Sequence, residues 1–430
     1  MLKADHRGLY YYHLKKTGGS TFNHWLDTLT FGDRRCQSGW IGSWLMEGVG
    51  AARTVAEADS DTSLLRAVFN WSDVVHTHTP LRRYVPAGTL CFTVLRDPVQ
   101  RVVSQVSDWR RHKPDVTDRM TSAYRNLIAD SNRLRLCDHL AYYARQEGRW
   151  MLDNYMTRAL AAVRLGRAAL FSDADALLDV ALSSLENDYD LIGLTEKSDI
   201  SRNALCATAG LPPARAIRHL NRSRTKQGPD PEVEEASGIL QTLTGADRIL
   251  YARACALFDQ RHRQAGEAYD TEAFESRHAA RVLGQQRGTW RDGATSFSVR
   301  LPIIGSGFHG RDAPGTPACA VWSGPATCLT LYMPVPPGLR VSLLIWIRGY
   351  AAQRQRDQIR VRVDGHPADH QFRSAEGYAD LLTIDARPLR DFVRLEVEVD
   401  ETLTSIEAGR EGLDERKRGF AFDSYGWRPD

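Results

Sequence analysis

The sequence predicts an α/β layer with a parallel sheet, followed by an all-β, jelly-roll-like sandwich. Three observations carry this. Up to about Ala280, short apolar runs alternate with long helix-like stretches, the pattern of strands joined by crossover helices. From Arg281 to Gly293 the chain turns polar and reads as a link. Beyond it, short β-branched or aromatic segments are punctuated by Gly and Pro clusters such as Pro334-Val335-Pro336-Pro337-Gly338. The expected division is residues 1–280, a link at 281–294 and a sandwich at 295–430.

Each element has its own warrant. Leu9 to Leu14 is apolar and aromatic, as a buried strand requires, and Phe22, Trp25, Leu26 and Leu29 then recur at helical spacing. Asp73 to Pro80 reads as a strand carrying two histidines. Leu90 to Leu95 is another apolar strand. It is followed by Asp97 as a helix cap, Pro98 in the first turn, and Val99, Val102, Val103 and Val106 along one helical face. Thr157 to Leu170 and Ile249 to Phe258 read as helices. In the last third, Ser296–Leu301, Ala326–Met333, Arg340–Ile347, Gln358–Val363 and Phe392–Val399 read as strands.

Composition narrows the classes of function. The 430 residues are 42% hydrophobic and 25% charged, the balance of a folded globular chain and not of a disordered or fibrous one. Fifty-six Lys and Arg against 53 Asp and Glu leave a net charge of +3, too even for binding nucleic acid by bulk charge. No run of about 18 apolar residues is present, so no membrane span is expected. The polar start, Met1 to Gly8, argues against a signal peptide, and the seven cysteines show no C-x-x-C pair. A cytoplasmic protein is the expectation.

Three strings carry chemistry. The first is Lys15-Lys16-Thr17-Gly18-Gly19-Ser20-Thr21, at a strand-to-helix bend. Small residues there let successive backbone N–H groups converge beside the positive end of a helix, which favours an anion. Lys16 supplies a cation, and Ser20 and Thr21 supply hydroxyl donors. It is not a Walker A loop, because the chain contains no Gly-Lys dipeptide. The second string is Arg96-Asp97-Pro98-Val99-Gln100-Arg101-Val102-Val103-Ser104. It sets Arg96 at a strand end and Ser104 two turns into a helix, where ligands of open α/β sheets bind. The third is His76-Thr77-His78, with both rings on one face if the strand runs through. A neutral histidine at such a mouth can take a proton from a hydroxyl. Plainer readings stand beside these: a Gly-rich turn, a capped amphipathic helix, and a strand pair of histidines or a metal pair.

Together the strings resemble those of the P-loop, PAPS-dependent carbohydrate sulfotransferases, and the histidine pair resembles that of the uronyl 2-O-sulfotransferases. PAPS is 3′-phosphoadenosine 5′-phosphosulfate. The resemblance covers roughly Leu9 to Arg224 and implies a three-layer domain with a parallel sheet. It implies that residues 15–21 hold the 5′-phosphosulfate and that Arg96 and Ser104 hold the 3′-phosphate. It implies that Lys16 stabilises the leaving group, that His78 is the general base with His76 in support, and that no metal is required. Asn154-Tyr155-Met156-Thr157 and the strand ending Gly193-Leu194-Thr195-Glu196 are similar to further family segments. Arg222 and Arg224 fall where a loop often closes on the nucleotide. The acceptor implied is a glycan hydroxyl. A P-loop kinase or NTPase and a non-catalytic glycan-binding protein are the alternatives.

The last third resembles sandwich modules appended to bacterial carbohydrate-modifying enzymes, on Gly305 to Gly310 and Ala320 to Thr327. Trp322, Trp346, Tyr350, Tyr425 and Trp427 are its candidates for stacking on sugars, or else they fill its core.

Overall fold

The computed structural model describes residues 8–19, 22–23, 25–26, 69, 74–111, 122–145, 150–213, 230–284, 286, 288–291, 293–300, 303–312, 316–409 and 416–430. Four parallel strands form the first sheet: β1 (Gly8–Tyr12), β2 (Val74–Thr77), β3 (Thr89–Leu95) and β4 (Leu191–Leu194), in the order β2-β1-β3-β4. A parallel sheet covered on both faces needs apolar side chains on both. β1 meets this by alternation. Leu9 and Tyr11 pack into one cluster with Phe22, Trp25, Phe92 and Leu191, while Tyr10 and Tyr12 pack into another with Ala159, Leu160 and Leu194. Two of the three buried phenols of β1 have partners: Tyr10 Oη donates to Thr79 O (3.1 Å), and Tyr12 Oη donates to Ala159 O (3.1 Å).

The helices that frame the strand ends are α1 (Pro98–Arg111), α2 (Tyr155–Leu165), α3 (Ala174–Asn187), α4 (Ser198–Ala209) and α5 (Gly245–Arg261). The helix expected over Thr157–Leu170 starts two residues earlier and ends at Leu165. Gly166, in a left-handed conformation, stops it before a 3₁₀ turn over Arg167–Phe171. The residues expected to be a link carry the helical end Ala280–Leu283 and a first short strand, β5 (Thr289–Arg291).

The second part is a two-sheet sandwich of β5, β6 (Ala294–Ser298), β7 (Gly305–Ser306), β8 (Phe308–Asp312), β9 (Ala320–Ser323), β10 (Cys328–Pro334), β11 (Val341–Tyr350), β12 (Arg360–Val363), β13 (His366–Pro367), β14 (His370–Arg373), β15 (Asp380–Ala386), β16 (Phe392–Glu398) and β17 (Phe420–Pro429). One sheet runs β13-β12-β16-β10-β7. The other runs β14-β15-β11-β17-β6-β5, with β9 pairing both β17 and β8. Period-two alternation decides which face is which. Leu329, Leu331 and Met333 of β10 and Val393, Leu395 and Val397 of β16 point into the sandwich core, against Leu343, Ile345 and Ile347 of β11.

The alternate residues Tyr332 and Phe392 join the cluster of the first part, beside Phe274, Val282 and Leu283. Glu275 fixes this seam. It accepts from Arg390 (2.9 Å) and Arg394 (2.6 Å), with Tyr332 Oη at 3.5 Å. The five-stranded sheet is thus covered on both sides among the described residues. Among the described residues no helix is long and apolar enough to cross a membrane.

Candidate functional site

The loop after β1 is built around two left-handed residues, Lys16 (φ 67°) and Gly18 (φ 78°). Glycine takes that conformation at little cost, whereas lysine holds it only where its surroundings enforce it. Those surroundings are specific. Lys15 N–H donates to Tyr155 Oη (3.2 Å), Thr17 Oγ1 donates to Leu14 O (2.8 Å), and Arg96 NH1 donates to Lys16 O (3.2 Å). Alternating hand at successive residues turns N–H groups toward one point, the geometry of an anion nest. The Gly18 and Gly19 amides, at the start of the following helical residues, donate to no acceptor among the described residues. Gly19 rests directly on the His13 imidazole, so a β-carbon there would lie 1.7 Å from Nε2.

His13 is the residue that motif spacing did not single out. Its N–H donates to Thr77 O (2.9 Å), and its own carbonyl oxygen lies 2.5 Å from His78 Nδ1. A carbonyl oxygen can only accept, so Nδ1 carries the proton and Nε2 of His78 keeps its lone pair. The two rings lie 4.2 Å apart between centroids. Burial, then the nearby Lys15, pushes His78 down to about 4, and burial holds His13 well below the usual histidine range. Both rings are neutral at pH 7.

The expectation that His76 and His78 share a strand face is corrected. β2 ends at Thr77, because Thr79 N–H bonds Thr77 Oγ1 (3.0 Å) and Pro80 has no N–H to continue the ladder. His76 stays in the strand, opposite Tyr11 and buried. His78 leaves it, half-buried.

Arg96 leaves the end of β3 and turns back to the loop. Its Nε is buried with no partner among the described residues, and burial lowers its pKa. Asp97 caps α1 by accepting from Gln100 N–H (2.9 Å), as its position before Pro98 predicts. Ser104 is half-buried on α1, one turn before Asp108. Asp108 Oδ1 pairs with Lys16 Nζ (2.9 Å) and with Arg111 NH2 (3.0 Å), so this side of α1 faces the loop. Lys16 is therefore held and not free to swing. Burial lowers its pKa, and Asp108 opposes that shift. Arg101, the inner arginine of the same string, is fully buried. It donates to Met151 O (2.6 Å), lies 4.7 Å from the Tyr155 ring centroid, and is lowered by burial to about 10.

Thr195 closes the floor of the site. Its hydroxyl lies 2.7 Å from Thr17 O and 3.0 Å from Leu95 O, tying the loop to the end of β3. Asn154 and Thr157 prove to be structural. Buried Asp247 accepts from Met156 N–H (3.1 Å), Thr157 N–H (2.7 Å) and Thr157 Oγ1 (2.8 Å), while Asn154 Oδ1 accepts from Asp247 N–H (3.0 Å). The starts of α2 and α5 thus cap one another. Ser20, Thr21, Arg222 and Arg224 lie outside the described residues. Of the remaining candidates, Lys15, Lys16, Thr17, Gly18, Gly19, Arg96, Ser104 and His78 gather at the carboxyl ends of β1, β2 and β3.

The five sandwich aromatics separate. Tyr350 and Tyr425 are buried in the core, Tyr350 donating to Asp380 (2.8 Å) and Tyr425 stacking on Phe297. Trp427 donates from Nε1 to Pro334 O (2.9 Å), and Trp322 lies under the Arg418 guanidinium (5.0 Å). Trp346 faces outward.

The class defined here is an α/β chain with a parallel sheet and an appended antiparallel sandwich. No family model matches the chain, and no curated protein matches it. Among solved structures, it is similar to a cycloisomaltooligosaccharide glucanotransferase of Paenibacillus sp. bound to cycloisomaltoheptaose, with 11% identity over 33% of this chain and 19% of that one, at a TM-score of 0.20. It is also similar to a GH115 4-O-methyl-alpha-glucuronidase with specificity for decorated arabinogalactans, with 11% identity over 77% of this chain and 39% of that one, at a TM-score of 0.19. The chain spans well under two thirds of either protein.

Proposed function

We propose that this chain is a carbohydrate O-sulfotransferase of the P-loop type, which moves the sulfuryl group of PAPS to a glycan hydroxyl. The observation that carries the reading is the joint placement of a left-handed Lys-Thr-Gly loop, an inward Arg96 and a neutral His78 around one mouth. The residues present fit the donor. The nest and Lys16 suit a 5′-phosphosulfate. Arg96 brings a buried, unpartnered Nε–H toward a second anion, with Ser104 on the adjoining helix.

In the reaction, the acceptor oxygen attacks sulfur as the bond from sulfur to the bridging phosphate oxygen breaks. The acceptor proton passes to His78 Nε2, whose lone pair is freed by the Nδ1–H bond to His13 O. Lys16 and the loop amides meet the charge that grows on the departing phosphate oxygen. The leaving group is adenosine 3′,5′-bisphosphate, and the imidazolium returns its proton to solvent. His13 positions the base and does not touch the reacting atoms. A localisation in the cytoplasm belongs to the same reading.

The test is transfer of labelled sulfate from PAPS to a panel of glycans, with mass detection of the product. A sulfated glycan formed without added metal supports the reading. Absence of transfer to every acceptor, together with phosphoryl transfer from ATP and Mg²⁺, overturns it in favour of a kinase.

A further inference from the structure

The outer face of the eight-stranded sheet carries a groove of about 470 Å³, whose lining includes Leu344, Trp346, Glu376, Tyr378, Ser424 and Arg428. This volume is that of a ligand site, which typically runs roughly 300–1,000 Å³. It arises from register. Trp346 of β11 lies between Leu381 of β15 and Ser424 of β17, and Leu344 lies across from Gly426. Those positions alternate with the core-facing Leu343, Ile345 and Ile347. Gly426 lies close against the backbone of Thr295 and Ser296 and adds no side chain to the middle of the face, and Ala375, Glu376 and Tyr378 line the groove as well. Tyr378 is fixed there by Arg348, whose guanidinium lies 4.6 Å from its ring centroid and is itself bonded to Asp423 (2.5 Å).

The polar groups are what select a ligand. Among the described residues, the Trp346 indole N–H, the Ser424 hydroxyl, the Glu376 carboxylate and the Arg428 guanidinium make no hydrogen bond or ion pair. The groove therefore offers two aromatic rings, an acceptor-only group, a donor-only group and a hydroxyl that does both. A pyranose matches this set: its C–H face lies flat on an aromatic ring, and its rim of hydroxyls both donates and accepts. A lipid leaves Glu376 and Arg428 unpaired. Glu376 and Arg428 together give the groove no net positive charge to favour a phosphate or polyanion.

We propose that this groove binds a neutral polysaccharide chain, with Trp346 as the platform, Tyr378 as the side wall, and Glu376 and Arg428 reading hydroxyls. The site lies on the sheet opposite the one that packs on the helical part, and its binding needs no nucleotide. It stands whether or not sulfuryl transfer is the reaction.

The test is affinity electrophoresis of the full chain through gels holding dextran, a soluble β-glucan, galactomannan, xylan or polygalacturonate, without PAPS. Retardation by at least one neutral polysaccharide is expected. Trp346→Ala is expected to weaken it at least tenfold, Trp346→Phe to keep most of it, and Glu376→Gln to weaken it severalfold. An unchanged circular dichroism spectrum certifies each variant as folded. Absence of retardation by all four neutral chains, retardation by polygalacturonate alone, or equal retardation of the wild type and Trp346→Ala overturns the proposal. Failure of sulfate transfer with retardation intact would count against the enzyme reading only.

Discussion

The carboxyl end of the parallel sheet and the outer face of the sandwich are built by opposite means. At the first, backbone does most of the work. A left-handed loop, a carbonyl at His13 and a strand end at Leu95 fix the loop and the His78 ring, and side chains are placed by the bends that carry them. At the second, the backbone is a regular ladder, and every feature is a side chain on an alternate position of β6, β11, β15 or β17 or in the turn at 375–378. The contrast teaches that a site made by bends tolerates little change in shape, whereas a site made on a ladder can lose one side chain and keep its frame.

The most severe break of that contrast is His78→Ala. It is expected to lower sulfate transfer by about 10²–10⁴-fold while leaving adenosine 3′,5′-bisphosphate affinity within severalfold. A fall in affinity as large as the fall in rate would make the ring part of the nucleotide cradle instead.

Next comes Gly19→Ala. Its β-carbon overlaps the His13 ring, so loop and ring must part, at a cost of about 1–3 kcal/mol and at least tenfold in nucleotide affinity. Gly238→Ala is the control. It has open space and an ordinary helical conformation, and it is expected to be neutral or stabilising by about 0.5–1 kcal/mol. Equal effects in the two variants would remove the claim that the loop rests on His13.

Acid sharpens the comparison further. His78, His139 and His262 are lowered to about 4 and His13 well below its usual value, in each case chiefly by burial. The unfolded chain titrates its histidines near 6.5, so it takes up protons first as pH falls. Stability is therefore fully present above about 6.5 and is lost progressively toward about 4. Urea midpoints at pH 7.5, 6 and 5 are expected to fall in that order, and a flat series contradicts the burial of these rings as neutral groups. If His78 is the base of the proposed transfer, the acidic limb of kcat/KM is expected near 4, well below that of an ordinary histidine base.

The smallest effect is Asp108→Asn. Lys16 and Asp108 form a partly exposed pair, a contact worth about 0.2–1 kcal/mol, so freeing the lysine is expected to tighten nucleotide binding no more than about fivefold. Weaker binding would mean that Asp108 orients Lys16 for the ligand.

Much of the first region was legible because its signals are contiguous. Asp97-Pro98 announces a capped helix, Leu90–Leu95 a strand, and Gly18-Gly19 a bend, each from within a few residues. What escaped depends on distant pairs. His13 acquires its role only when β1 lies beside β2, Asp108 only when α1 swings over the loop, and Asp247 only when α5 meets α2. The stop at Thr77 escaped because a side-chain turn outweighed the β propensity of the run. In the sandwich, β10, β11 and β16 were legible from alternation. The run at β17, Phe420 to Pro429, is broken by Asp423, Ser424 and Gly426, of which Ser424 lines the groove and Asp423 bonds the arginine that lies against Tyr378. Trp346 could be named as a candidate. Its separation from Tyr350, Tyr425 and Trp427 required the two faces to be known.

The most direct measurement is calorimetric titration of the full chain with adenosine 3′,5′-bisphosphate in the absence of metal, beside Arg96→Ala and beside ATP with Mg²⁺. The account predicts one site per chain for the bisphosphate and at least tenfold weaker binding in Arg96→Ala, since a charge-assisted bond contributes about 1.5–3 kcal/mol, with ATP and Mg²⁺ binding more weakly than the bisphosphate. Preferred binding of ATP with Mg²⁺, or an affinity for the bisphosphate unchanged in Arg96→Ala, would contradict it.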